Sequence, residues 1–126
     1  MKSKISLSEI EWKLMGALWK KGIMSVKEVW QEVYPNGEKA YTTVQTYLDR
    51  MVEKKLLRKE KIGLVNFYQP VVSEKAAKRH EIEQFVSRAF NGSFGSLAAF
   101  LVNSENLSDE DLNEIKQLIT KREQEE

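Results

Sequence analysis

Between Leu57 and Val71 the chain changes its repeat. In "LLRKEKIGLVNFYQPVV" β-branched and aromatic residues partly alternate with polar ones on both sides of Gly63, the pattern of a small hairpin. Pro70 marks its outer edge. Everything before this stretch repeats with helical period. Three helices followed by one hairpin within about 70 residues is a tight constraint, because few small architectures combine them in that order.

The helices announce themselves by their ends. Ser8 with Glu11 three residues on is a capping box, and it predicts a first helix running to about Lys21, with Leu14, Met15, Leu18 and Trp19 as its apolar positions and Gly22 as its stop. Ser25 caps a second helix whose stripe is Val26, Val29, Trp30 and Val33, ended by "YPNG". A third is expected from about Tyr41 to Lys55. Beyond Ser73 the spacing predicts a long helix over about 74–90 closed by "NGS", a shorter one around "SLAAFLVN", and a last one that starts with Ser108 and Asp111. Leu112, Ile115, Leu118 and Ile119 form one stripe on this last helix. The expected division is 1–72 for the three helices and hairpin, and 73–126 for a helical region.

With 126 residues, 41% of them hydrophobic, the chain can bury a core of its own. It has no cysteine, which removes disulfides and thiolate metal sites, and its single histidine, His80, cannot build a metal site alone. The amino-terminal "MKSKISLSEIEW" lacks an apolar run of signal-peptide length, and no stretch approaches the roughly 18 to 20 apolar residues of a membrane span. A soluble cytoplasmic protein without membrane insertion is expected. The net charge of +1 is unevenly placed: residues 1–72 hold 13 Lys and Arg against 8 Asp and Glu, and residues 73–126 hold 7 against 11. That asymmetry suggests a polyanion-facing module joined to something else.

The third helix, "AYTTVQTYLDRM", concentrates residues that are mediocre helix formers. On a helical wheel Tyr41, Val44, Leu48, Met51 and Val52 share one arc of about 100°, the width of a face packed on a core. Thr42, Thr43, Thr46, Asp49 and Arg50 lie opposite, with Gln45 and Tyr47 on the flanks. A solvated face would carry more Lys and Glu. Short hydrogen-bonding side chains instead suit a DNA major groove: threonine offers a hydroxyl and a methyl, glutamine pairs with adenine and arginine with guanine. Lys54, Lys55, Arg58, Lys59 and Lys61 follow where a winged-helix protein meets the phosphate backbone, and the hairpin with Gly63 at its turn would be the wing.

A polar helix and a basic hairpin can each be ordinary solvated surface, and threonines at a helix start can serve as caps. Their conjunction in the basic half favours DNA. A module that keeps the same core but binds a protein stays open, although such a surface should expose aromatic and aliphatic anchors in place of threonines. Trp12, Trp19 and Trp30 read as core or interface anchors, and "SDEDLNE" as acidic charge complementing a helix dipole. No nucleophile elbow, phosphate loop or HExxH motif is present, so neither an enzyme nor a cofactor is expected.

"LSEIEWKLMGALWKKG", "TTVQTYLDRMVEKKLL" and "KIGLVNFYQP" resemble, in order and separation, the BlaI/MecI/CopY family of bacterial transcriptional repressors. Its members share a first helix ending in Trp, a T-[IV]-x-T-x-L-x-R-L recognition helix and a G-x-x-[FY]-x-Y wing. The resemblance is strong from Leu7 to Val71 and looser beyond. It implies a mainly α fold, a winged helix-turn-helix domain followed by a helical dimerisation region, and a homodimer on a double-stranded, dyad-symmetric operator. Tyr41, Thr42, Thr43, Gln45, Thr46, Arg50, Lys54, Lys59, Lys61 and Gly63 would then form the DNA-binding surface. Phe85, Phe90, Leu97, Phe100 and Leu101, too many large apolar residues for short helices to bury alone, would join Leu112, Ile115, Leu118 and Ile119 in the dimer. Copper-responsive relatives end in paired cysteines, which this chain lacks, so that route of metal sensing is absent. Penicillinase-repressor relatives are inactivated when a membrane sensor metalloprotease triggers cleavage at an Asn-Phe bond. The best-aligned bond here is Phe100–Leu101, with Asn103 displaced from the pattern.

Overall fold

Two serines set the first two helices. Ser8 accepts from the Glu11 amide at 3.3 Å while its own amide donates to the Glu11 carboxylate at 2.9 Å, and Ser25 and Glu28 repeat the exchange at 3.2 and 2.9 Å. They open α1 (Glu9–Lys21) and α2 (Val26–Val33), and the third helix is α3 (Tyr41–Glu53). The computed structural model describes residues 5–125. The first four residues of the amino-terminal segment, and the last residue of the acidic tail, lie outside the described residues.

The hairpin is β2 (Leu57–Ile62) and β3 (Val65–Pro70), joined by the two residues Gly63 and Leu64. Gly63 sits at φ 66°, the left-handed geometry that the first central position of a two-residue hairpin turn demands. The sequence pattern missed one strand: β1 (Met24–Ser25) pairs antiparallel with β3, giving the order β1-β3-β2. Two residues are too few to show alternation, and Ser25 serves as strand end and helix cap together. β3 is therefore the middle strand, not an edge. Pro70 is tolerated because it ends the strand, beyond Phe67 and Tyr68 where β1 pairs.

The core of this unit gathers Leu14, Met15, Leu18, Val29, Val44, Leu48, Met51, Leu56, Leu57 and Tyr68, nearly all sealed from solvent. Tyr41 departs from the expected core face. Standing at the first position of α3, it is 40% exposed and sets its ring edge-on to Trp30, with centroids 5.8 Å apart. The helix also stops sooner than expected, because Lys55 turns to φ 66°. The Leu56 amide then donates to the Met51 carbonyl and the Lys55 amide to that of Val52, the paired closure that usually takes glycine.

The chain divides into two compact units, one through Glu81 and one from Ile82 on, so that the division falls inside α4 (Glu74–Ala89). The second unit continues with α5 (Phe94–Val102) and α6 (Asp109–Gln124), whose start is a third capping box, Ser108 with Asp111. The rings of Phe85, Phe90 and Phe100 meet edge to face in a chain, each pair with centroids 5.8 Å apart. Among the described residues of this unit only Val86 is fully buried. Among the described residues no helix is long and apolar enough to cross a membrane.

One ion pair ties α1 to the end of α3. The nearly buried Glu11 carboxylate accepts from Lys54 Nζ at 2.7 and 2.9 Å. Burial pushes that carboxyl up, but the bonds from Lys54 and Ser8 outweigh it and hold it below its ordinary value of 4.5. A lowered folded value contributes stability that is present above the unfolded value and lost as pH falls through the folded one. Glu11→Gln should therefore cost about 1 kcal/mol near neutrality. The gap in urea midpoint from wild type should close as pH drops below about 4.5, and a gap constant across that range would contradict the assignment.

Candidate nucleic-acid interface

The face of α3 turned from the core is built as its spacing suggested. Val44, Leu48 and Met51 are buried, Thr42, Thr46 and Arg50 are exposed, and Thr43 and Gln45 are half-buried beside them. The residue before the helix is Ala40, so α3 has no side-chain cap and no acidic residue in its first turn, unlike α1, α2 and α6. Its positive dipole end therefore stays open to an anion. The indole of Trp30 donates to the Lys39 carbonyl at 2.7 Å and so fixes the loop that delivers this helix start. Trp19 plays the matching part at the far end of the wing, donating to the Val72 carbonyl at 3.0 Å. Both tryptophans are anchors.

Thr46 has a constraint that no sequence pattern shows. Its hydroxyl donates back to the Thr42 carbonyl at 2.9 Å. In this rotamer it offers outward only oxygen lone pairs and a methyl, which fit a base amino group or the thymine methyl.

The wing stands beside this face. Its register places Lys59 opposite Tyr68 and Lys61 opposite Asn66, so these four share one side of the hairpin, while Ile62 and Val65 pair on the other. A cleft lined by Ser25, Tyr41, Gln45, Leu64, Asn66 and Phe67 separates the wing from the starts of α2 and α3. Leu64 at the tip, beside Gly63, is 94% exposed.

Of the cations expected to meet DNA, two have partners within the chain. Lys54 holds Glu11, and Lys59 Nζ donates to Asp49 Oδ1 at 2.9 Å. Asp49, which the wheel placed on the outward face, is half-buried and also accepts from the Tyr68 hydroxyl at 2.6 Å. Lys59 lies over the Tyr68 ring as well, 5.7 Å from its centroid. The sequence showed neither Asp49 nor Tyr68 as part of the site. The available signal was the strand alternation that puts Tyr68 on the inner face with Leu57.

Burial pushes the Tyr68 phenol far up, with the Asp49 carboxylate adding to it. Burial raises the Asp49 carboxyl too, but the bonds from Tyr68 and Lys59 outweigh it and leave it below its ordinary range. Among the described residues no three histidine, aspartate or glutamate side chains converge as metal ligands would.

Comparison with known proteins agrees with this geometry. The family model described as penicillinase repressor matches residues 7–121. The chain is 29% identical over 119 residues to the penicillinase repressor of Bacillus licheniformis, covering 94% of this chain and 93% of that protein. It is 24% identical over 116 residues to the methicillin resistance regulatory protein MecI of Staphylococcus aureus, covering 92% and 94%. The solution structure of the DNA binding domain of the repressor BlaI superposes with a TM-score of 0.52 at 31% identity, over 59% of this chain and 90% of that one. The fold is a winged helix with a helical carboxy-terminal region, and the chain is a repressor-type regulator, not an enzyme. It belongs to the penicillinase repressor family.

Proposed function

We propose that this protein represses transcription as a homodimer on a dyad-symmetric operator, with α3 in the major groove and the wing against the flanking backbone. The observation that carries this reading is the outward face of α3, where Thr42, Thr43, Gln45, Thr46 and Arg50 stand on a helix whose start no side chain caps. Arg50 and Gln45 have the forks to read guanine and adenine, and the threonines fit base edges or phosphates. Tyr41 and the open helix end approach a phosphate. Lys61 and the turn at Gly63 bring the wing to the backbone, and Lys54 and Lys59 border the same surface with carboxylate partners of their own. Such a protein works in the cytoplasm, on double-stranded DNA.

The second unit supports the dimer. Phe85, Phe100, Leu101, Leu118 and Ile119 are each at least 41% exposed, and Phe90, Leu97, Leu112 and Ile115 are half-buried. That is more apolar surface than three short helices leave to water, and a second copy covers it. Two half-sites then lie about one helical turn apart, roughly 34 to 36 Å, or a multiple of it. Relief of repression by a membrane sensor metalloprotease fits the same unit. The Phe100–Leu101 bond lies inside α5, so a protease reaches it only after that helix unwinds, and cutting there removes the dimer face.

Binding to tiled fragments of the gene's own upstream region tests the first claim. Wild type should select one fragment, and Arg50→Ala should weaken that complex by about 1 to 3 kcal/mol while changing random-DNA binding far less. No selective fragment at moderate salt would remove the repressor reading. Sedimentation tests the second: wild type should run as a dimer and Leu118→Asp as a folded monomer with weaker operator binding. A wild-type monomer that binds the operator fully would refute the role given to the second unit.

A further inference from the structure

The outward side of α3 carries two carboxylates, Asp49 and Glu53, where a phosphate-facing surface has least use for them, and Asp49 is the one set between Thr46 and Arg50. Its oxygen Oδ1 receives the Tyr68 hydroxyl at 2.6 Å and Lys59 Nζ at 2.9 Å. Those donors are cross-strand neighbours in register, Tyr68 on the middle strand and Lys59 on β2. One oxygen therefore ties the recognition helix to both strands of the wing. Arg50 is the next residue, and Thr46 and Gln45 lie one helical turn back. The tie is set among the side chains that would read bases.

A surface ion pair alone would mean little. Here, however, half of the tie is the hydroxyl of a wholly buried tyrosine, which would lose its acceptor on α3 if Asp49 were removed. Lys59, for its part, stands 2.9 Å from a carboxylate, so the two together present almost no net charge to DNA. Lys61, on the same side of the hairpin, lies nearer the tip.

We propose that Asp49 is a positioning residue for DNA recognition: through Tyr68 and Lys59 it fixes the wing against the recognition helix and withholds Lys59 from the phosphates. Discrimination between operator and random DNA then depends on a side chain that touches no DNA. This rests on the repressor reading above. The raised Tyr68 phenol keeps its proton and the lowered Asp49 carboxyl stays ionised, so donor and acceptor are both in place at neutral pH.

The test compares full-length wild type, Asp49→Asn and Lys59→Gln on the selected fragment and on a random duplex of equal length, by fluorescence anisotropy across a salt series. Each phosphate neutralised adds about 0.9 to the slope of log affinity against log salt. Asp49→Asn frees Lys59, so its random-DNA slope should steepen by about 0.9 while the operator-to-random ratio falls about tenfold. Lys59→Gln should leave the slope as in wild type and lower the ratio. A shallower slope by about 0.9 on both duplexes with Lys59→Gln, at an unchanged ratio, would make Lys59 a direct phosphate contact and overturn the proposal. So would an Asp49→Asn protein indistinguishable from wild type. If Asp49→Asn does not fold, Lys59→Gln decides on slope and ratio alone. Failure of wild type to select any fragment defeats the repressor reading instead. In that event hydrogen exchange of the β2 and β3 amides still decides, since Asp49→Ala, which leaves the Tyr68 hydroxyl no acceptor at position 49, should speed it and an unchanged rate would refute the tie.

Discussion

The burial of Tyr68 is the contact on which the rest of the first unit turns. It is wholly buried on the middle strand, with Met24 of β1 as its neighbour on one side and Lys59 of β2 on the other, so all three strands meet at this residue. A phenol sealed in a core gains from an acceptor, since an unpaired buried hydroxyl costs on the order of 1 to 3 kcal/mol. The acceptor is Asp49, on the recognition helix. A packing requirement thereby fixes the geometry of a surface. The carboxylate that takes this hydroxyl also takes Lys59 Nζ, so the wing's cation is placed by the same contact.

Around this contact the polar groups divide between holding and reading. Ser8, Ser25, Glu11 and Lys54 satisfy helix ends and one another. The indoles of Trp19 and Trp30 hold the chain on either side of the reading helix and wing. What is left with outward capacity is short and uncharged over the first turns of α3, with Arg50 beyond them, and basic on the wing. Lys55 shows how the two demands meet: a glycine would suit its left-handed backbone better, yet a lysine there leaves a cation at the carboxy end of the helix, where the dipole favours it.

Three of the helices were legible to the residue because their sequence carries its own start signal. Ser8, Ser25 and Ser108 with their partners three residues on gave starts that match to the residue, and Gly63 gave the hairpin turn. The outward set on α3 was legible too, since periodicity alone separates Val44, Leu48 and Met51 from Thr42, Thr46 and Arg50. What escaped were features made by tertiary contact. β1 is only two residues long and is defined by its partner. Tyr41 was placed on the core face by its angle, but a first-turn side chain has freedom to lean on Trp30 instead. Asp49 and Lys59 looked like separate surface charges because nothing local says that a strand ten residues on will bring them together.

On the proposed reading the exposed face of α3 enters the major groove. The chain has no cysteine, so a single one introduced as Thr42→Cys can carry a photoactivated cross-linker at a defined place, with Lys20→Cys on α1 as the comparison. On the DNA fragment the protein selects, position 42 should cross-link to bases in two patches symmetric about a dyad and about one helical turn apart, and position 20 should not. Equal cross-linking from both positions, or none to bases from position 42, would contradict the account.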